Sequence, residues 1–337
     1  ILRFLFQFSS LGPSCLKFRC VLPRFSRAAH IYGRDVPAHI LLPPYVQNKS
    51  IHSPTTPVVH TSDDIADLRF AGSVVRQIFE ELEVFLKPGL STQDVDDFVF
   101  DTCMSKRVYP SPLGYRGFPK SVCTSVNEVA CHGIPSSEQL LLPGDLVSID
   151  ISVYTRNGVH GDACRSYVLK LETGCSSNAC PSSDRTKLAV FLCSVAKACR
   201  DAGIAICAPG TPYTEIARVV SSMADRNGCR VVAGIRGHGV GTFLHGPPDI
   251  IHSVHEISPF STDGSSGQMM EGHVFTIEPC IALAVSNTPD QKDGTSLSPA
   301  CPIVLQDGWT VVTSDRTLTA QFEHTIVITS TGHSILT

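Results

Sequence analysis

The chain writes one structural plan twice. In "SDDIADLRFAGSVVRQIFEELEVFL" apolar residues recur at helical spacing, with Ser62 or Asp63 placed as the N-cap. The run closes at Pro88-Gly89, and "STQDVDDFVFDTCMSK" opens a second helix. Much later "SSDRTKLAVFLCSVAKACRDAGIAIC" closes at Pro209-Gly210, and "TPYTEIARVVSSMADRNG" follows. Setting one Pro-Gly pair on the other puts Asp94 on Glu215 and Val95 on Ile216, each beginning a helix after a matched turn. This is the pattern of a duplicated helix-helix-strand unit, and neither copy can bury its apolar helix faces by itself.

Strand-like segments follow each helical pair. The first set is "KSVCTSVNEVACHGI" and "GDLVSIDISVYTRNGVHGDACRSYVLK", in which "TRNG" signals a hairpin. The second is "CRVVAGIRGHGVG", "HVFTIEPCIAL" and "GWTVVTSDRTLTAQFEHTIVIT". Two halves of helices on a mostly antiparallel sheet make an α+β domain, with a site expected between the halves. Residues 172–184, 258–268 and 286–300 are rich in Ser, Gly, Asp and Pro and read as surface insertions.

With 337 residues, 42% hydrophobic and 17% charged, the chain can form a large core, and nothing in its composition suggests disorder. The formal net charge of -4 supplies no global field for nucleic acid or anionic membrane, and neither is expected as a partner. Charge is uneven, however. Residues 1–34 hold six basic residues (Arg3, Lys17, Arg19, Arg24, Arg27, Arg34) and no acid, leaving 21 basic and 31 acidic residues elsewhere. Basic, Ser-rich and apolar, this stretch has the composition of an organelle transit peptide. Residues 1–45 are therefore read as a leader outside the fold, 46–61 as a Pro-rich connector and 62–332 as the folded domain. No apolar run approaches the ~18 residues that span a bilayer. The 14 cysteines contain no CxxC pair and lie scattered in apolar segments, as reduced core residues do.

Four acids interrupt the most apolar strands. In "AQFEHTIVIT", Phe322, Ile326 and Ile328 share one face at period two, while Gln321, Glu323, Thr325 and Val327 share the other. Taken alone, Glu323 reads as facing water. Asp150, however, sits among Val147, Ile149, Ile151 and Val153. Asp162 lies just beyond the Asn157-Gly158 turn, where a cross-strand pair with Asp150 is expected, and Glu278 is flanked by Ile277 and Pro279. Carboxylates gathered within a few Å resist ionising together, so four of them in apolar strands call for a shared cation. Four carboxylates with one imidazole suit Mn, Fe, Co or Zn, and the imidazole candidate is His238 in "GIRGHGVG". A phosphate-cradle reading of those glycines lacks the strand-turn-helix context it needs. His252 and His255 in "IIHSVHE" read as solvated loop residues, and His324 as packing away from Glu323.

The segments "YPSPLGYRGFPKSVCTSVNEVACHGIP", "SIDISVY", "HGD", "GHGVG", "FTIEP", "DGWTV" and "AQFEHTIVIT" resemble, in this order, those of type I methionine aminopeptidases of the pita-bread fold. The likeness covers roughly residues 62 to 332. It is nearest the organellar form, given the leader of transit type and no cysteine-rich zinc domain before the catalytic segment. The short interval between "GHGVG" and "FTIEP" argues against type II. The resemblance implies an aminopeptidase with two divalent ions held by Asp150, Asp162, His238, Glu278 and Glu323. Asp162 and Glu323 would bridge the ions, Asp150 would hold one, and His238 with Glu278 would hold the other. It further implies that Glu278 moves a proton, that His132 bonds the scissile amide, and that His245 holds the carbonyl oxygen. Tyr115, Phe118, Cys123 and Trp309 would line a methionine pocket together with those two histidines.

Two departures stand out: Ala163 occupies a position where the family usually has Thr, and Leu244 one where an aromatic is common. Neither removes a ligand, and Ser152 replaces a frequent Thr but keeps its hydroxyl. The implied substrates are nascent polypeptides with a free N-terminal Met and a small second residue. The ribosome is a candidate partner, a monomer the expected state, and the mitochondrial matrix, or else the plastid, the expected location. The competing expectations are an X-Pro aminopeptidase or prolidase on the same five ligands, and a catalytically weak binding protein of the same fold.

Overall fold

The two Pro-Gly turns adopt one geometry in the computed structural model, which describes residues 29–169, 183–257, 267–284 and 297–337. The first 28 residues of the expected leader, and most of the three expected insertions, lie outside the described residues. Gly89 has φ 89° and Gly210 has φ 84°. Gly89 N–H donates to Leu141 O, and Leu141 N–H returns to Leu90 O, both at 2.8 Å. In the second copy Gly210 N–H donates to Met269 O at 2.8 Å, and Met269 N–H to Thr211 O at 2.9 Å. The duplication therefore extends to individual backbone bonds.

Elements of the first half are the hairpin β1 (Ala29–Ile31) and β2 (Arg34–Val36), the short helix α1 (Pro44–Gln47), and the long helices α2 (Ser62–Phe85) and α3 (Thr92–Ser105). Strands β3 (Tyr109–Pro110), β4 (Cys123–Val126), β5 (Val129–Cys131), β6 (Leu146–Tyr154) and β7 (His160–Val168) follow. The second half has α4 (Ser183–Ala205), α5 (Thr214–Arg226), β8 (Cys229–Val231), β9 (Gly237–Gly239), β10 (Gly246–Ile250), β11 (Val274–Ile277) and β12 (Cys280–Leu283). It ends with β13 (Pro302–Val304), β14 (Val311–Thr313), β15 (Thr319–Gln321), β16 (His324–Ile328) and β17 (His333–Ile335).

The cap of helix α2 lies one residue before the expected Ser62. Thr61 is the N-cap: its hydroxyl accepts Asp64 N–H, and the Asp64 carboxylate accepts Thr61 N–H at 2.9 Å. Ser91 and Asp94 repeat this reciprocal box at α3. Each box satisfies two otherwise orphaned groups, and the cap is worth about 1 kcal/mol. Helix α5 lacks a side-chain cap.

The named strands pair antiparallel throughout. β6 is flanked by β3, β4 and β7; the second half holds the orders β10-β9-β11-β16-β17 and β15-β12-β8; and β13-β14-β5 joins the halves. Each helical pair covers its own strands. Ile78, Phe79 and Leu82 of α2 and Val95 and Val99 of α3 pack with Val147, Ile149, Ile151 and Val153 of β6. Leu192 and Ala196 of α4, with Ile216 and Val220 of α5, pack with Phe275, Ile277, Ile281 and Ile326. Burying each such side chain contributes about 1.5–3 kcal/mol, so the alternation of β6 commits Ser148, Asp150 and Ser152 to the opposite face, between the halves.

The described part of the expected leader packs on the domain instead of standing apart from it. Arg34 pairs with Asp96, which is fully buried, at 2.6 Å and also with Asp97, and Asp96 accepts Ser121 N–H at 2.6 Å. Tyr45 is buried, donates its hydroxyl to Ser111 O at 2.5 Å, and sets its ring edgewise on Tyr115 at 5.1 Å. From the connector, Ser53 donates to His245 O at 2.6 Å. The partners lie 62 to 192 residues away, so local composition carries no trace of them.

Close approach explains the glycines of "GHG". A Cβ on Gly237 would lie 2.2 Å from Thr276 O of β11, and one on Gly239 would lie 2.1 Å from Pro247 O of β10. Gly237→Ala or Gly239→Ala is expected to cost at least about 3 kcal/mol by urea denaturation, because a neighbouring strand must move. Gly332→Ala, with nothing within 4 Å, should stay within about 0.5 kcal/mol of the parent.

Candidate metal centre

Asp150 and Asp162 reach the same space from adjacent strands but are not directly opposed. The β6–β7 register sets Ser152 against Asp162 and Asp150 against Cys164. The expected facing pair is thus a diagonal one, and Ser152 Oγ fills the direct position, donating to Asp162 Oδ1 at 2.8 Å. The register is centred on Asn157, which places Ser152 and not Asp150 level with Asp162.

Glu278 and Glu323 lie where strands break. β11 ends at Ile277 and β12 begins at Cys280, in another sheet; β15 ends at Gln321 and β16 begins at His324, again in different sheets. Ile277 pairs with His324 and Cys280 with Gln321, so the two breaks lie side by side. The expected continuous strand through "AQFEHTIVIT" is therefore two strands joined at Phe322-Glu323. Freed from the ladder, Glu323 N–H donates across to Cys164 O at 2.9 Å, and Glu278 N–H to His252 Nε2 at 3.2 Å. Glu323 is 2% exposed, which excludes the solvent-facing reading. His324 turns away from it to Thr337 Oγ1 at 3.0 Å.

His238, on β9, points its Nε2 at both groups, 3.6 Å from Asp162 Oδ2 and 3.6 Å from Glu278 Oε1. Its Nδ1 lies 3.3 Å from Gly239 O, which assigns the proton there and leaves Nε2 with its lone pair inward. Thr276 ties the two residues together: its hydroxyl accepts His238 N–H at 2.9 Å and donates to Glu278 Oε1 at 2.8 Å. Gln321 donates to Glu278 O at 3.0 Å and Oε2 at 3.3 Å.

The electrostatics of this cluster are those of an uncompensated negative site. Burial first, and then Asp162 and Glu278, push the Asp150 carboxyl well above the usual carboxylate range. Burial and neighbouring carboxylates do the same to Glu278 and Glu323. Burial lifts Asp162 to about 6, partly offset by the Ser152 hydroxyl. Burial pulls His238 down to about 4, so its imidazole is neutral. Asp150 Oδ1 and Glu323 Oε1 are sealed from solvent without a hydrogen-bond partner. Ligand atoms of Asp162, His238 and Glu323 lie within 4.8 Å of one another. Orphaned carboxylate oxygens, four acids and a neutral imidazole are a donor set that fits a divalent cation.

Around the cluster is a cavity of about 330 Å³, and all eleven residues singled out from the sequence line it. Phe118 and Trp309 meet edgewise at 5.1 Å, while the tilted pairs Tyr115–His245 and His245–His238 lie at 5.1 and 4.1 Å. Burial depresses His132 and drives His245 well below the usual histidine range. Both imidazoles are neutral and can donate a hydrogen bond. Leu244 and Ala163 are buried, Leu244 in the cavity wall and Ala163 in the helix-facing core.

His252 corrects the sequence reading. It is fully buried, whereas His255 is exposed as expected. Thr276 and Gln321, which hold Glu278, were not singled out either. Their one signal was position, two residues from Glu278 and Glu323, on strands where a polar residue facing the core needs a partner.

Residues 66–330 match metallopeptidase family M24. The chain is 38% identical over 305 residues to a chloroplastic/mitochondrial methionine aminopeptidase 1D of Arabidopsis thaliana, covering 90% of this chain and 77% of that protein. It is 38% identical over 318 residues to the mitochondrial methionine aminopeptidase 1D of Homo sapiens, covering 94% and 83%. The crystal structure of methionine aminopeptidase from Rickettsia prowazekii superposes with a TM-score of 0.69 at 31% identity, over 83% of this chain and 99% of that one. On a buried donor set that fits a divalent cation, placed between duplicated halves, and on likeness over most of its length, this chain belongs to metallopeptidase family M24, with the type I methionine aminopeptidases of organellar type.

Proposed function

We propose that the chain removes N-terminal methionine from newly made polypeptides with a small second residue, using two divalent ions held by the five side chains above. The observation that carries this reading is the pair of buried, partnerless carboxylate oxygens, on Asp150 and Glu323, that face one cavity with Asp162, His238 and Glu278. A divalent metal is the family's cofactor; that there are two, which Asp150, Asp162, His238, Glu278 and Glu323 would hold, is our assignment. When bound, such ions lower the pKa of water and polarise the scissile carbonyl.

The chain's own residues then have separable roles. Glu278, steadied by Thr276 and Gln321, accepts a proton and passes it to the leaving amine. His132 donates to the scissile amide, and His245 donates toward the carbonyl oxygen as it gains charge. Phe118, Trp309, Tyr115 and Cys123 form an apolar, sulfur-tolerant wall that suits an unbranched thioether. The cavity is small enough to favour one side chain and a free α-amine. The organellar relatives and the basic leader support action in the mitochondrial matrix, with the plastid as the other location. There a formyl group would have to be removed first, and ribosome-bound chains are the natural substrates for a monomer.

Metal-free protein should hydrolyse neither Met-Ala-Ser nor an Ala-Pro peptide, and added Mn or Co should restore release of methionine alone. Release of alanine would move the chain to X-Pro peptidases, and silence with metal bound would favour a binding protein. Asp150→Asn and Glu323→Gln are each expected to lower kcat/KM at least about a hundredfold with the fold retained. His132→Ala should lower kcat about a hundredfold and leave KM nearly unchanged; a rise in KM alone would defeat its assigned role. Because the carboxyls are held above their usual range, metal must displace protons. Titration calorimetry in two buffers should show proton release that grows, and affinity that falls, as pH drops from about 7.5 to 5.5.

A further inference from the structure

His252 has no part in the roles above, yet both of its ring nitrogens meet backbone that shapes the site. It sits in the segment after β10, is 0% exposed, and places Nε2 3.2 Å from Glu278 N and Nδ1 3.1 Å from Ile235 O. A backbone amide can only donate, so Nε2 is the acceptor; Nδ1 then carries the hydrogen and donates to Ile235 O. One tautomer satisfies both groups. Neither is incidental: Glu278 N–H is stranded at the break between β11 and β12, and Ile235 lines the cavity three residues before His238.

The segment bearing His252 is itself held in place. Ser221 of α5 donates to His252 O at 3.4 Å and accepts Val254 N–H at 3.0 Å. The Glu278 carboxylate is held by Thr276 and Gln321, and its carbonyl by Gln321, but its N–H is held by His252. We infer that His252 is a positioning residue, a clamp that fixes the backbone of Glu278 against the segment leading to His238 and so sets the spacing of two metal ligands from different strands. It touches neither substrate nor metal. The inference rests on the reading of Glu278 as a ligand.

Three substitutions separate the contacts. In His252→Gln the amide oxygen can reach Glu278 N–H; in His252→Asn the shorter amide can reach Ile235 O but not Glu278; and His252→Leu fills space without polar atoms. Each full-length variant would be stripped of metal and titrated with Co by calorimetry. The visible absorption of bound Co, the urea midpoint, and kcat and KM for Met-Ala-Ser would be read alongside.

The expected result is Co affinity about 10–100-fold weaker for Asn and Leu, an altered Co spectrum, and a fall in kcat with KM within about threefold, while Gln returns to within a few-fold of the parent. If Asn and Leu lower the urea midpoint but leave Co affinity and spectrum unchanged, His252 is a core residue only and the inference fails. It fails equally if Gln is no better than Asn, a comparison that survives should Leu not fold. Glu278→Gln serves as the control: parental Co affinity there would overturn the reading of the site itself, and with it the role of His252.

Discussion

Four carboxyl groups share one buried cavity, and the rest of the structure answers to that fact. Carboxylates at this range repel, and burial removes the water that would screen them, so the carboxyls are held above their usual range. Such a site is tolerable only in a scaffold whose stability is secured elsewhere. Here it is secured in two apolar cores, one per half, that lie on the outer faces of the strands and contain no site residue singled out from the sequence. The acids occupy the faces left between them.

Each acid reaches that space by its own backbone device. Asp150 follows from simple alternation along β6, because its neighbours at odd positions face the helices. Asp162 follows from pairing with β6. Glu278 and Glu323 need a different solution, since strands that cross from one sheet to another cannot keep their ladders intact at the crossing. The paired breaks turn that geometric defect into two inward-facing carboxylates, with the lost ladder bonds replaced by His252 Nε2 and Cys164 O. One hydroxyl, that of Thr276, links the backbone of His238 to the side chain of Glu278. The site is thereby stitched across β9 and β11 before any cation arrives.

Behind the cavity wall packs a segment the composition disguised. Tyr45 packs on Tyr115, which meets His245, which meets His238, so a file of rings runs from the N-terminal segment to the acids. Arg34 makes the segment look like part of a basic leader, but its charge is matched by Asp96 and Asp97 on α3. A charge count sees an unmatched arginine where the fold supplies two partners.

Much of the fold was legible because duplication, helical spacing and Pro-Gly turns are local or periodic. The acids were legible too, as misfits in apolar strands, and their donor chemistry implied a cation without knowledge of distance. What could not be read was register and burial. Asp150 and Asp162 were expected to face each other, but pairing depends on how a loop closes, and Ser152 took the direct position. Glu323 was placed on a continuous strand, because a break between two sheets leaves period two intact on either side. His252, in a segment read as a loop, looked solvated, because its partners, Ile235 and Glu278, lie 17 and 26 residues away. The sequence by itself determined the duplicated plan and offered a donor set of four acids and one imidazole. Only the tertiary structure decided which of them meet, because strand pairing, sheet crossings and the burial of a backbone donor are long-range events with no local signature.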